Sequence, residues 1–182
     1  MTRKTSTTAE LAWNHAVHDI PESGLSTQRE ATPDELARIA QALDLIACAG
    51  LNVDYTIVPT VGGHYRLSGR LRAEVRQACV VTLEPIDTTI EEAFEAVFWP
   101  QEHMPAPESG ELVVDDEPER EPIVGGQIAV GRVAFESLAA TIDPFPRKPD
   151  AVLDWQSPNP ADAPGGKTEN PFAVLANLKT KD

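Results

Sequence analysis

Tyr65-Arg66-Leu67-Ser68-Gly69-Arg70-Leu71-Arg72-Ala73-Glu74-Val75-Arg76 is the stretch that decides the fold. Successive side chains on a β-strand point to opposite faces. Tyr65, Leu67, Leu71, Ala73 and Val75 therefore share one face, and Arg66, Ser68, Arg70, Arg72, Glu74 and Arg76 share the other. Ile86 to Trp99 repeats the pattern, with Ile90, Phe94, Ala96 and Phe98 set against Asp87, Thr89, Glu91 and Glu95. Two amphipathic strands joined by the short connection Cys79 to Pro85 predict an antiparallel pair with one apolar face. Upstream, Val53, Tyr55 and Ile57 alternate with Asp54 and Thr56 in a third half-buried strand that stops at Pro59. Val61-Gly62-Gly63-His64 then reverses the chain, because glycine accepts the positive φ that a tight turn needs.

An apolar sheet face needs a cover. Thr32-Pro33-Asp34-Glu35 combines an N-cap hydroxyl, a proline at the first helical position and a glutamate placed for a capping box. Leu36, Ile39, Ala40, Leu43 and Ile46 follow at helical spacing, so a helix is expected to run on and end near Gly50. A second helix is predicted from about Ile128 to Ile142, where Val130, Val133, Ala134, Leu138 and Ile142 share a face before Asp143-Pro144-Phe145-Pro146 breaks it. Residues 9 to 30 mix Trp13, Ile20 and Leu25 with Pro21 and Gly24 and read as an extended, partly packed lead-in without regular structure. Residues 100 to 125 hold five prolines and the acidic run Glu108, Glu111, Asp115, Asp116, Glu117, Glu119 and Glu121. Such a composition repels itself and reads as a flexible acidic loop. Residues 150 to 169 are rich in proline and glycine and read as a linker. Asn170 and Pro171 then cap and open a short helix with Phe172, Leu175 and Leu178 along one side. Together these readings predict an α+β domain over residues 1 to 149, a small antiparallel β-sheet covered by two helices. A tethered C-terminal helix follows over residues 170 to 182.

The chain has 182 residues, with 15 Lys and Arg against 29 Asp and Glu, a formal net charge of −14. That charge argues against a generic nucleic-acid binder, since affinity for phosphate needs a positive field. No apolar run approaches the roughly 18 residues of a membrane span, so no membrane partner is expected and a soluble, cytoplasmic protein is. Cys48 and Cys79 stand alone, as expected of two buried reduced thiols rather than a disulfide scaffold or a four-thiolate zinc site. Gly166-Lys167-Thr168 fails as a phosphate loop, because Ala161 stands where the earlier glycine is needed. His15, His18, His64 and His103 form no HExxH, and no serine has the setting of a nucleophile elbow. The sequence thus predicts no catalytic residue, no metal and no cofactor.

Arg66, Arg70, Arg72 and Arg76 concentrate four of the fifteen basic residues on one strand face. Two readings stand side by side. The planar guanidinium suits bidentate phosphate contacts, so the ridge can seat an RNA backbone. Alternatively the next strand answers it, in a register that sets Arg76 opposite Asp87 and Arg72 opposite Glu91.

Leu67-Ser68-Gly69-Arg70-Leu71 leading into Cys79-Val80-Val81-Thr82-Leu83-Glu84-Pro85, then an acidic loop and a helix, and the terminal Asn170-Pro171-Phe172-Ala173-Val174-Leu175-Ala176-Asn177-Leu178-Lys179 together resemble the YceD-like family. Its members are described as large ribosomal RNA subunit accumulation proteins. The resemblance marks Cys79, Leu83, Pro85, Asn170, Pro171 and Phe172 as motif positions. Many relatives carry C-x-x-C-L-x-P at the first motif; here Thr82 replaces the second thiol, so a metal held by such cysteines does not transfer. The resemblance implies a part in accumulating large-subunit ribosomal RNA. Three mechanisms follow: docking of a basic ribosomal or rRNA-processing protein, with Phe172, Leu175 and Leu178 as a candidate anchor; direct RNA contact through the arginine strand; and, least favoured, a nuclease.

Overall fold

The computed structural model describes residues 11–104 and 119–153. The chain divides into two units, Met1–Ala151 and Val152–Asp182. The fold below is that of the first. The expected linker, from residue 154, and the expected C-terminal helix with Asn170, Pro171, Phe172, Leu175 and Leu178 lie outside the described residues.

Along the chain the regular elements are β1 (Asn14–Ala16), β2 (Leu25–Glu30), α1 (Pro33–Ala42), β3 (Ala47–Pro59), β4 (Tyr65–Ala78), β5 (Pro85–Pro100), β6 (Glu119–Ile123), β7 (Gln127–Ala129) and α2 (Val130–Thr141). Five strands form one sheet in the order β2-β3-β4-β5-β6, and β1 pairs with β7 in a separate two-stranded ribbon. The α+β class is as expected, and the three long strands alternate as read. Leu67, Leu71, Ala73 and Val75 from β4 meet Leu51, Val53, Tyr55 and Ile57 from β3 and Ile90, Phe94, Ala96 and Phe98 from β5 in one buried cluster. Ile39 from α1 and Val130, Val133, Ala134 and Leu138 from α2 close the same cluster, so both helices cover a single apolar face. Each fully buried aliphatic or aromatic side chain here contributes about 1.5–3 kcal/mol of transfer free energy, which is what holds the helices down.

The sheet is mixed rather than purely antiparallel. β6 runs parallel to β5, with Ala96 opposite Glu119 and Pro100 opposite Ile123. This strand falls inside the stretch expected to be loop. Glu119-Arg120-Glu121-Pro122-Ile123 carries no alternating apolar signal, and its proline is tolerated because the strand is an edge. Its charge is answered in three dimensions: Glu121 is buried and ion-paired with Arg132 of α2.

Three further boundaries differ from expectation. The lead-in contains β1 and β2, the latter pairing along β3 from Leu25 opposite Ile57 to Glu30 opposite Asn52. The first helix opens with the expected capping box, the Thr32 hydroxyl accepting from the Glu35 N–H and the Glu35 carboxylate accepting from the Thr32 N–H. It ends at Ala42, because Asp44 takes a left-handed φ of 52° and reverses the chain. Leu43 still packs on the core from the turn, but Ile46, whose spacing extended the expected helix, is 54% exposed and precedes β3. Gly50 sits instead in β3, beside a register shift between Cys48 and Gly50. Finally, Ile128 is buried from β7 and not from the helix that follows it.

Two devices lock these layers together. Trp13 donates its indole N–H to Glu35 Oε1 at 3.0 Å in a buried bond that ties the N-terminal segment to α1. Burial opposes ionisation of Glu35, but donors from Thr32 and Trp13, with Arg38 nearby, prevail and hold its carboxyl below the usual carboxylate range. On the sheet, Gly69 lies opposite Phe94, whose ring occupies the space a side chain would take. A Cβ at position 69 would stand 2.5 Å from Phe94 Cζ and 2.8 Å from the Asp54 carbonyl oxygen. Gly69→Ala is therefore expected to overpack the core by about 1–3 kcal/mol. Thermal unfolding by circular dichroism should show a midpoint several degrees lower with the native spectrum retained.

Candidate functional site

The outer face of the sheet carries the residues that the sequence singled out. Arg66, Arg70, Arg72 and Arg76 all project from β4 into solvent, on the side away from the helices. β5 answers three of them. Arg72 lies opposite Glu91 and donates to it at 2.8 Å; Arg76 lies opposite Asp87 and holds it in a two-point contact at 2.6 and 3.2 Å. Arg66 reaches diagonally to Glu95. Hydrogen bonding to Arg76 holds the Asp87 carboxyl below its ordinary range, and the same contact raises the arginine. Exposed pairs of this kind add little to stability, so their main consequence is electrostatic cancellation. Arg70 lies opposite Asp54 on one side and Ala93 on the other, and it makes no ion pair among the described residues.

Taken strand by strand, this face presents Arg66, Arg70, Arg72, Arg76 and Arg120 against Glu30, Asp54, Glu74, Asp87, Glu91 and Glu95. Among the described residues five cations meet six anions, for a net charge of −1. A ridge that looked basic along one strand is neutralised across the sheet.

One end of the same face holds a cluster that sequence reasoning missed. His64 stacks on Trp99 with ring centroids 4.5 Å apart and planes 5° from parallel, and Arg120 lies over the Trp99 ring at 5.3 Å. His103 meets His64 edge-on, with ring nitrogens 3.2 Å apart. Half of this was within reach: the register that sets Arg72 opposite Glu91 also sets His64 opposite Trp99. Arg120 and His103 arrive through the parallel pairing of β6 and the turn after β5, neither of which leaves a short-range signal.

At the opposite end, Cys79-Val80-Val81-Thr82-Leu83-Glu84-Pro85 forms the β4–β5 turn. The Cys79 N–H donates to the Glu84 carbonyl at 2.8 Å and the Leu83 N–H to the Cys79 carbonyl at 2.9 Å. The loop after α2 braces it: the Val80 N–H donates to the Pro146 carbonyl at 2.9 Å, and Lys148 Nζ to Glu84 Oε2 at 2.8 Å. The Cys79 thiol is fully covered. The Thr82 hydroxyl first, then the N–H groups of Lys148, Thr82 and Val81, lower its pKa to about 6 against the effect of burial. Cys48, the other free thiol, is pushed the other way by burial. Among the described residues no three histidine, cysteine or carboxylate side chains converge as a metal ion would require. No helix among them is long and apolar enough to cross a membrane.

A family model described as "Large ribosomal RNA subunit accumulation protein YceD" matches residues 67–179, from within β4 to the terminal Asn-Pro-Phe motif. The chain belongs to the YceD family. No curated protein and no solved structure matches it. The YceD region takes in Arg70, Arg72, Arg76, all of β5 and the Cys79 turn, while Arg66 lies just outside it. In this YceD chain the Thr82 hydroxyl accepts from the Glu84 N–H at 3.4 Å within the turn.

The depressed Cys79 pKa has a pH signature. Between the folded value of about 6 and the ordinary thiol value of 9.0, the unfolded chain holds a proton that the folded chain does not. Stability from this site is therefore fully present above the unfolded value and is lost as pH falls through about 6. The difference in melting temperature between the wild type and Cys79→Ser is expected to widen from pH 6 to pH 9; a constant difference would show that the thiol stays protonated.

Proposed function

We propose that this protein acts without catalysis in the accumulation of large-subunit ribosomal RNA, by docking a basic ribosomal or rRNA-processing protein in the cytoplasm. The observation that carries this reading is the neutralised sheet face. Three of the four arginines that would have gripped phosphate are already paired with Glu95, Glu91 and Asp87. What remains is a chain of net charge −14, whose field draws cationic proteins in and holds nucleic acid off. The acidic stretch between β5 and β6 adds to that field by composition alone, and Phe172, Leu175 and Leu178 offer an apolar contact from the far end of the chain.

Direct RNA contact is the second reading, and two observations favour it: Arg70 has no ion pair among the described residues, and Arg120 with the His64–Trp99 stack provides the cation and aromatic surface on which single-stranded bases settle. A nuclease has no such support among the described residues.

The two readings part in one experiment. Purified full-length protein is offered large-subunit ribosomal RNA and, separately, the protein fraction stripped from large subunits by salt. Retention of a basic protein, with no RNA shift at low salt, is the expected result. Cells lacking the chain are expected to lose large-subunit RNA, and a variant with Arg66, Arg70, Arg72 and Arg76 changed to glutamine should restore it. An RNA complex that weakens steeply with salt and disappears in that variant would transfer the function to the arginine strand.

A further inference from the structure

The braced β4–β5 turn presents an apolar surface that the core does not use. Leu83 is 77% exposed, Phe145 74%, Ile46 54% and Val80 51%. Singly such residues are unremarkable on a protein surface. These four sit on segments tied together by hydrogen bonds. Val80 bonds Pro146, the neighbour of Phe145, while the Ile46 N–H donates to the Arg76 carbonyl and Gln77 Nε2 to the Asp143 carbonyl. The segments that carry these exposed apolar side chains thus meet at one end of the sheet, with the ion pairs Lys148–Glu84 and Arg76–Asp87 beside them. An apolar centre with a polar rim is the anatomy of an interface.

Leu83 sharpens the point. Its φ is 61°, in the left-handed region where a glycine or asparagine sits at less cost. The turn thus holds a large apolar side chain in an unfavourable conformation and directs it into water, where it contributes nothing to folding. Strain kept at an exposed position points to function.

We infer that Leu83 and Phe145 are the anchors of a docking surface for a basic protein segment that brings an apolar side chain of its own. Charge selects this occupant. Around the patch Glu84, Asp87, Asp143 and Asp150 stand against Arg76, Arg147 and Lys148, four carboxylates to three cations. The chain as a whole carries −14, so a second copy, a nucleic acid or an anionic lipid surface would each approach against repulsion. A cationic protein approaches with it. The inference rests on the proposed docking of a basic protein and adds the place where it occurs.

The test uses the full-length chain, immobilised, with the salt-stripped large-subunit protein fraction as probe, comparing wild type, Leu83→Asn and Leu83→Asn with Phe145→Ser. Leu83→Asn relieves the backbone, so its melting temperature is expected to equal or exceed that of the wild type. Retention of the same basic protein should fall at least tenfold in the double variant. Equal retention by wild type and double variant would overturn the docking surface while leaving the proposed function standing. No retention by the wild type would overturn both. Retention that nuclease abolishes, or a wild-type dimer that the double variant dissociates, would assign the patch to RNA or to a second copy and overturn the inference.

Discussion

The pairing of β4 with β5 is the constraint on which the rest of the molecule depends. One register, Tyr65 opposite Phe98 through to Ala78 opposite Pro85, runs the full length of β4 and all but the last two residues of β5. On the inner face it stacks Leu67, Leu71, Ala73 and Val75 beside Ile90, Phe94, Ala96 and Phe98, creating the apolar floor that α1 and α2 must cover. On the outer face it puts Arg72 against Glu91 and Arg76 against Asp87. A slip by one residue would send every one of these side chains to the wrong side. Core and surface electrostatics are therefore two consequences of a single alignment.

That alignment also separates the two ends of the outer face. At one end it brings His64 onto Trp99, beside Arg120. At the other the chain turns through Cys79 to Pro85, where the Cys79 N–H to Glu84 carbonyl and Leu83 N–H to Cys79 carbonyl bonds close a turn that covers the thiol and exposes Leu83. Backbone hydrogen bonds set the shape of this end, and Val80, Leu83 and Phe145 stand exposed on it with ion pairs beside them. Such an arrangement suits a surface that must keep its shape before a partner arrives.

How much of this was legible follows from the range of the interactions. Period-two alternation is local, so β3, β4, β5 and the solvent-facing arginines could be read directly, and the register of two ion pairs followed from complementary charge. The capping box at Thr32 and Glu35 is equally local. β6 was hidden because its signal lies elsewhere: Glu121 is buried only because Arg132, eleven residues on, reaches it from α2. The end of α1 was misplaced because Leu43 still packs on the core from the turn, while Ile46 fell at helical spacing without being buried. At the candidate site the four arginines were found, but their neutralisation needed a partner strand, and the exposed Leu83 needed a backbone angle that composition does not reveal.

The central claim is that carboxylates on β5 silence a basic strand. It is tested most directly by measuring the affinity of a single-stranded ribosomal RNA fragment for the wild type and for the Asp87→Asn, Glu91→Gln, Glu95→Gln triple variant at low salt. With those three charges removed the outer face holds five arginines and three carboxylates, and its net charge turns from −1 to +2. The account predicts no measurable complex for the wild type and a salt-sensitive one for the triple variant. Tight RNA binding by the wild type that the triple substitution leaves unchanged would contradict it.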